Sequence, residues 1–385
     1  MLPYIVIFIL TIILAFLEFG RVKYPQSFFT LYCLAIGAFV GMSDMLGGYD
    51  RYIYAEVFSA IADNLHRGNG LFNSTFQSFF STEPIYGFIN SFIGLITPNR
   101  YAFIFLYTVG MYGLLSVTIY KFTTKPFFPF LLFLGFLFFF SFTYLRQILA
   151  CGVCWYAIPY AAKRKLKNFV ILVLVASLIH NSAAYFILLC FIPLKKFSKS
   201  SIILVMILLF VIGFFSISRY FFYISEDIID NERFAGYGTR NVLRIEYVIE
   251  SIVFIAILLY NYSKIKTDNY SLTVLNVYLM FCGTLLFFCT STDGGRISWY
   301  YSIGVFILIT EFCQKRKMIL LRLFVSTMVF VLYMRILTGW GMLVMPYKTF
   351  LTDGFRKGDE TYERYEYDHA YDNDKFYNLW DYLKK

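Results

Sequence analysis

Residues 202–217 read IILVMILLFVIGFFSI, sixteen positions without a charge, and this run decides the fold. An amphipathic helix of a soluble protein would interrupt such a stretch with polar residues every three or four positions; here every face is apolar. Leu272–Thr290 and Met318–Leu337 repeat the pattern with few interruptions. Each comes close to the ~20 mostly apolar residues that cross ~30 Å of hydrocarbon as a helix. Helices satisfy their own backbone polar groups in lipid, so the expected class is an all-α polytopic membrane protein. About ten full transmembrane helices are expected, with a broken hairpin and a re-entrant helix among them.

The rest of the chain agrees with that reading. Its 385 residues are 59% hydrophobic and 15% charged, with a mean hydropathy of +0.64. No composition shift, long linker, low-complexity tract or internal repeat marks a second globular domain. The expected organisation is a transmembrane catalytic domain over residues 1–346, with outer-face loops at 46–84, 222–243 and 291–297, followed by a polar, Tyr-rich outer tail at 347–385. Net charge is +10, but Lys and Arg sit in short clusters between apolar runs. Positive-inside placement explains them, and no nucleic-acid partner is expected. Met1–Gly20 is too long for a signal-peptide core, and its basic residues, Arg21 and Lys23, follow it; it reads as a retained helix with its N-terminus outside. The seven cysteines all lie in or beside apolar runs and imply no disulfide framework. Cys151 and Cys154 have the spacing of a redox pair but fall in a membrane helix, where small-residue packing accounts for them.

Charge bookkeeping then orients the loops. Basic clusters at 20–26, 121–126, 163–167, 195–199, 264–266 and 315–322 belong to the cytoplasmic side. Segments 46–84, 144–147, 222–243, 291–297 and 339–385, which carry nearly all of the acidic residues, belong outside. Successive cytoplasmic loops must be separated by an even number of crossings. Asn168–Pro193 lies between two basic loops and has to enter and return, which predicts two short helices meeting at His180. Ile85–Thr97 is too short to cross and would spoil the parity, so it reads as re-entrant or interfacial. Broken helices at membrane depth are tolerated where they line a cavity or pack in protein.

Ionisable residues in or beside spans are costly, which makes each a functional candidate. The outer face collects Asp44, Asp50, Arg51, Glu56 and Glu83, then Arg146, His180, Arg233, Arg240, Arg244, Asp293 and Arg296. A guanidinium fork binds phosphate oxygens bidentately and keeps its charge when partly desolvated. Arg146, Arg233 and Arg296, with Arg240 as a fourth, are therefore the candidate ligands of a diphosphate. His180, Asp50 or Glu83 could take a proton from an attacking hydroxyl. Together these are the parts of glycosyl transfer from a lipid diphosphate. That chemistry needs no cofactor, and no His-rich or paired-Asp cluster suggests a metal. Arg100 and Arg219 read as snorkelling residues, and Asp293 reads equally well as part of a Gly-rich turn.

The order of several short motifs resembles a known family. Gly48-Tyr49-Asp50 with Tyr54 and Phe58, Glu83-Pro84-Ile85-Tyr86 with Asn90, Arg146-Gln147 with Ala150, and a KRK loop followed by Phe169 and Ala176–Ser182 are similar to the EpsG-like family of Wzy-type polysaccharide polymerases. Arg233-Phe234 with Tyr237, Arg296–Tyr300 and Met345–Lys348 extend the likeness more loosely. The resemblance implies a GT-C-like glycosyltransferase of a bacterial inner membrane. Such an enzyme joins undecaprenyl-diphosphate-linked oligosaccharide units into O-antigen, capsule or exopolysaccharide at the periplasmic face, the side on which the loop charges above put both termini of this chain. Donor and acceptor lipid-linked oligosaccharides, membrane lipid, a chain-length regulator and a flippase are the implied partners. One departure stands out: Arg51 follows Asp50, where the family has small residues, and would lower the Asp50 pKa if the two paired. Two further functions fit the same residues, a flippase or exporter of the lipid-linked oligosaccharide and a polyprenyl-phosphate-dependent GT-C transferase.

Overall fold

The structure is a computed structural model that describes residues 1–20, 22–43, 50–70, 83–218, 220, 242–291, 294–314, 318–340, 344, 347 and 349. Among these, regular structure is helical, with one isolated antiparallel bridge between Ser43 and Thr349. The α-helices in chain order are α1 (Leu2–Phe19), α2 (Gln26–Met42), α3 (Arg51–His66), α4 (Pro84–Ile96), α5 (Arg100–Phe122), α6 (Phe127–Phe136) and α7 (Leu145–Ala162). They continue as α8 (Leu166–Ile179), α9 (Lys199–Phe214), α10 (Ile245–Asn261), α11 (Asn269–Phe287), α12 (Ser302–Cys313) and α13 (Ile319–Trp340). Several starts follow from capping residues. Asn99 Oδ1 accepts from the Tyr101 and Ala102 N–H groups, Ser198 Oγ from Ser201, and Asp268 Oδ1 from Ser271, each satisfying donors that a first turn leaves orphaned.

Among the described residues five helices are long and apolar enough to cross a membrane: α1, α5, α11, α13, and α10 extended to Lys264. Six further apolar helical segments have 10–17 residues. At ~1.5 Å rise per residue, such α-helices fall short of a ~30 Å hydrocarbon core. Length and composition therefore account for five spans where the hydropathy runs suggested about ten. The exposed surface confirms the environment. Val6, Ile9, Ile13 and Leu17 on α1, Leu204, Ile207 and Leu208 on α9, and Leu320, Leu323 and Phe324 on α13 are all exposed. In water such a surface would forfeit ~25 cal/mol per Å², whereas lipid accepts it without cost. The chain is a polytopic helical membrane protein.

The fold comprises two compact units. The first contains residues 1–153, 175–181 and those from 313 onward. Within it α2 packs along α5, α6 packs on α1 and α13, and α3 packs on α4 and α5. Gly37 and Gly41 lie one turn apart on α2 and allow its backbone to approach α5. A Cβ at Gly37 would stand 2.8 Å from the Tyr112 Cβ, and one at Gly41 would stand 3.0 Å from the Phe105 Cα. Tyr4, Phe139 and Tyr333 form an aromatic core joined by the Tyr333 hydroxyl to the Tyr4 carbonyl at 2.9 Å. Tyr347 stacks on Phe39, with centroids 4.0 Å apart, and its hydroxyl donates to the Phe39 carbonyl. The first residue assigned to the tail is thus packed against α2.

The second unit contains residues 154–174 and 182–312. Here α11 is the central element, contacted by α9, α10 and the 3₁₀ segment Gly294–Tyr301. Its buried polar groups are spent on backbone acceptors, as when the Tyr278 hydroxyl donates to Phe254 and Asn276 Nδ2 to Pro193.

Candidate active site

Glu83, Arg146 and His180 come together in the first unit, although 63 residues separate the first two and 97 separate Glu83 from His180. Each is placed by a helix end. Glu83 is the residue before α4, where Pro84 supplies a φ preset for the first turn and needs no N–H partner. Arg146 is the second residue of α7. His180 follows α8; its N–H closes the last turn onto the Ala176 carbonyl at 2.9 Å, and the chain resumes as a 3₁₀ segment at Asn181. The helix break lies where loop parity predicted it.

The Glu83 carboxylate is the hub. Its Oε2 accepts from Arg146 Nη1, while its Oε1 lies 2.8 Å from His180 Nδ1 and also accepts the Asn181 backbone N–H at 3.1 Å. The side chain is 8% exposed, against 23% for Arg146 and 26% for His180. Burial alone would raise the Glu83 pKa. The His180 hydrogen bond, the charges of His180 and Arg146, and the Asn181 N–H together outweigh it and hold the carboxyl down at about 2. An ionised carboxylate only accepts, so the shared proton resides on His180 Nδ1. In the neutral ring Nε2 then carries the lone pair.

Aromatic rings hold the arginine. Its guanidinium carbon lies 5.1 Å from the Tyr54 centroid and 5.4 Å from that of Tyr86, and the two rings meet edge to face at 6.1 Å. Such cation–π contacts contribute on the order of 0.5–2 kcal/mol each. Tyr107 continues the edge-to-face series at 5.7 Å from Tyr86, and Asn90 ties its side-chain amide to the Tyr86 carbonyl. Arg146 Nε is buried and meets no hydrogen-bond acceptor among the described residues.

The remaining sequence candidates distribute differently. Asp50 precedes α3, and its backbone N–H donates to Thr143 Oγ1 at 2.6 Å, three residues before Arg146. Arg51 is fully buried, and its Nη2 donates to the carbonyls of Gly41 and Ser43 at 2.9 and 2.8 Å. These acceptors are at the end of α2, which makes Arg51 a helix-end cap. Arg296 belongs to the second unit, half-buried on Gly294–Tyr301. Arg233, Arg240, Asp44 and Asp293 lie outside the described residues. Among the described residues no three His, Cys, Asp or Glu side chains gather to offer a metal cradle. Reading for charge missed the tyrosine rings beside Arg146 and the Asn181 N–H. Tyr54 and Tyr86 were visible as motif residues, but nothing in their spacing says that they face a guanidinium.

A polytopic helical membrane protein in which a buried glutamate joins a partly exposed arginine and histidine at three helix ends is the class defined by these observations. The chain belongs to the EpsG family, which it matches over residues 26–349. This is a family of Wzy-like polysaccharide polymerase or glycosyltransferase-like membrane proteins. No curated protein and no solved structure matches the chain.

Proposed function

We propose that this protein is a polymerase that joins undecaprenyl-diphosphate-linked oligosaccharide units into a surface polysaccharide at the periplasmic face of a bacterial inner membrane. The observation that carries the reading is the bridging of Arg146 and His180 by one buried carboxylate. In the proposed reaction, His180 Nε2 takes the proton of an acceptor-sugar hydroxyl as its oxygen attacks the donor anomeric carbon. The bond between that carbon and the diphosphate oxygen breaks, its electron pair leaves with the diphosphate, and Arg146 stabilises the developing charge. Glu83, held at about 2, is too weak a base for the hydroxyl. It instead orients His180 and balances the imidazolium that forms, as a carboxylate does behind a catalytic histidine. Asp50, whose backbone N–H donates to Thr143 three residues before Arg146, is the alternative base, and Arg296, Arg233 and Arg240 are further candidate ligands of the diphosphate. We place both termini in the periplasm and count about ten passes in a GT-C-like arrangement, in which the short helices complete crossings that the five long ones leave. A chain-length regulator and a flippase are the proposed partners.

Deletion of the gene, with complementation by wild type and by Arg146→Ala, tests the reading. Long glycan chains should vanish while single repeat units still reach the surface, and only the wild-type copy should restore them. Loss of the single units as well would point to a failed flippase or an earlier transferase and overturn the polymerase assignment.

A further inference from the structure

Thr143 takes no part in the chemistry above, yet its hydroxyl is used differently from those of other buried threonines. Thr11, Thr273 and Thr310 each donate to the carbonyl four positions back in their own helix, at 2.7, 2.7 and 2.6 Å. A hydroxyl on an apolar helix finds its nearest acceptor there. Thr143 is fully buried and reaches across 93 positions of sequence, where its Oγ1 accepts the Asp50 backbone N–H at 2.6 Å. It sits on the link between the 3₁₀ turn Phe139–Phe142 and α7. Asp50 is the residue before α3, and its N–H lies outside that helix and needs an acceptor from elsewhere.

Both ends of this hydrogen bond lead to the candidate site. Tyr54 follows Asp50 by one turn, and its N–H closes that turn on the Asp50 carbonyl at 3.1 Å. Arg146 follows Thr143 on the first turn of α7. The Tyr54 ring and the Arg146 guanidinium then meet at 5.1 Å. One bond thus registers the start of α3 against the start of α7, within a turn of the place where their side chains touch. Arg51 fastens the same end of α3, but to the Gly41 and Ser43 carbonyls of α2 and not to the backbone that leads to Arg146. Without the Thr143 oxygen the Asp50 N–H loses its acceptor, and the start of α3 shifts until it finds another.

We propose that Thr143 is a positioning residue for the transfer reaction: its hydroxyl holds α3 against α7 so that Tyr54 keeps the Arg146 guanidinium in place. The inference rests on the polymerase reading for the reaction that is measured. Thr143 touches no reacting atom and acts through Tyr54 and Arg146.

The test measures kcat for polymer formation by the purified full chain in lipid nanodiscs, supplied with lipid-linked repeat units extracted from its host. Thr143→Val keeps the side-chain shape and removes the acceptor; it should lower kcat about fivefold, the order of one lost cation–π contact. Thr143→Ser keeps the acceptor and should stay within about twofold of wild type. Arg51→Met loosens the same helix start from the α2 side and should not lower kcat. Combined with Tyr54→Leu, Thr143→Val should lower kcat no further than the weaker single variant does, because both changes remove the same contact. Serine and valine variants of equal kcat, an equal loss in Arg51→Met, or losses that multiply in the double variant overturn the proposal. Thr143→Ala carries the same expectations if the valine variant is not recovered as monodisperse protein. Wild-type kcat in both Arg146→Lys and His180→Ala would count against the polymerase reading. Loss in those two beside an unimpaired Thr143→Val would count against this inference alone.

Discussion

Arg51 and Arg146 both belong to the first unit, and their guanidinium groups meet different kinds of partner. Arg51 is fully enclosed and donates to two backbone carbonyls at the end of α2. Arg322 repeats this arrangement, its Nε on the Cys313 carbonyl at the end of α12 and its guanidinium over the Phe19 ring at 4.2 Å. Arg146 instead pairs with a carboxylate that also holds a histidine, lies beside two tyrosine rings and remains 23% exposed. A neutral carbonyl acceptor cannot titrate or trade its partner for a substrate at small cost, so the first kind of arginine closes a helix. A partly exposed arginine beside an ionised carboxylate and an imidazole can meet a charged ligand. Burial alone does not mark a functional cation; the chemistry of its partners does.

Breaking the titratable side of this contrast should give the largest effects. His180→Ala is expected to lower kcat by ~10²–10⁴-fold, the usual contribution of a positioned general base, with monodisperse protein retained on size exclusion. Arg146→Lys keeps the charge but loses the fork and its stacking, and should lower turnover by roughly 10²–10³-fold. Near-wild-type polymer length from the lysine variant would reduce Arg146 to a point charge. Glu83→Gln removes the hub and should lower turnover by about 10–100-fold, as expected of a residue that acts through its neighbours.

The same variant sharpens the comparison through pH. Because the folded Glu83 pKa is depressed from 4.5 to about 2, its contribution to stability is fully present above the unfolded value and is lost as pH falls through that window. The Tm gap between wild type and Glu83→Gln should therefore be constant near neutrality and narrow below pH 4.5. A gap that widened on acidification would mean that the carboxyl is neutral in the folded protein. On the carbonyl side, Arg51→Met should lower stability by ~1–3 kcal/mol for each carbonyl left without a donor, while turnover per folded molecule stays close to wild type. The smallest effect is expected at Tyr54→Leu, where one cation–π contact of ~0.5–2 kcal/mol is lost and turnover falls by a few-fold.

The legible parts of this protein are local ones. Uninterrupted apolar runs made the helical membrane class readable, and two basic loops flanking 26 residues placed the break at His180. Glu83, Arg146 and His180 were each visible as costly ionisable residues beside spans. Their division of labour was not, because nothing in the order of residues says that Glu83 is shared by the other two or that its carboxyl is held near 2. Reading by charge also grouped Arg146 with Arg233 and Arg296, with Arg240 as a fourth. Contacts in space are what put Arg146 against the Tyr54 and Tyr86 rings and on the carboxylate that also holds His180.

The amino-acid sequence by itself determined that this chain is helical, membrane-embedded and broken at His180, since hydropathy and loop charge are properties of consecutive residues and act wherever the fold places them. Only the tertiary structure decided that the long apolar helices number five among the described residues, that Arg51 caps a helix, and that Arg146 joins Glu83 and His180. Those outcomes depend on where helices end and which side chains meet across 63 and 97 positions of chain. A guanidinium can donate to a carbonyl or to a carboxylate, and packing decides which of them comes within reach.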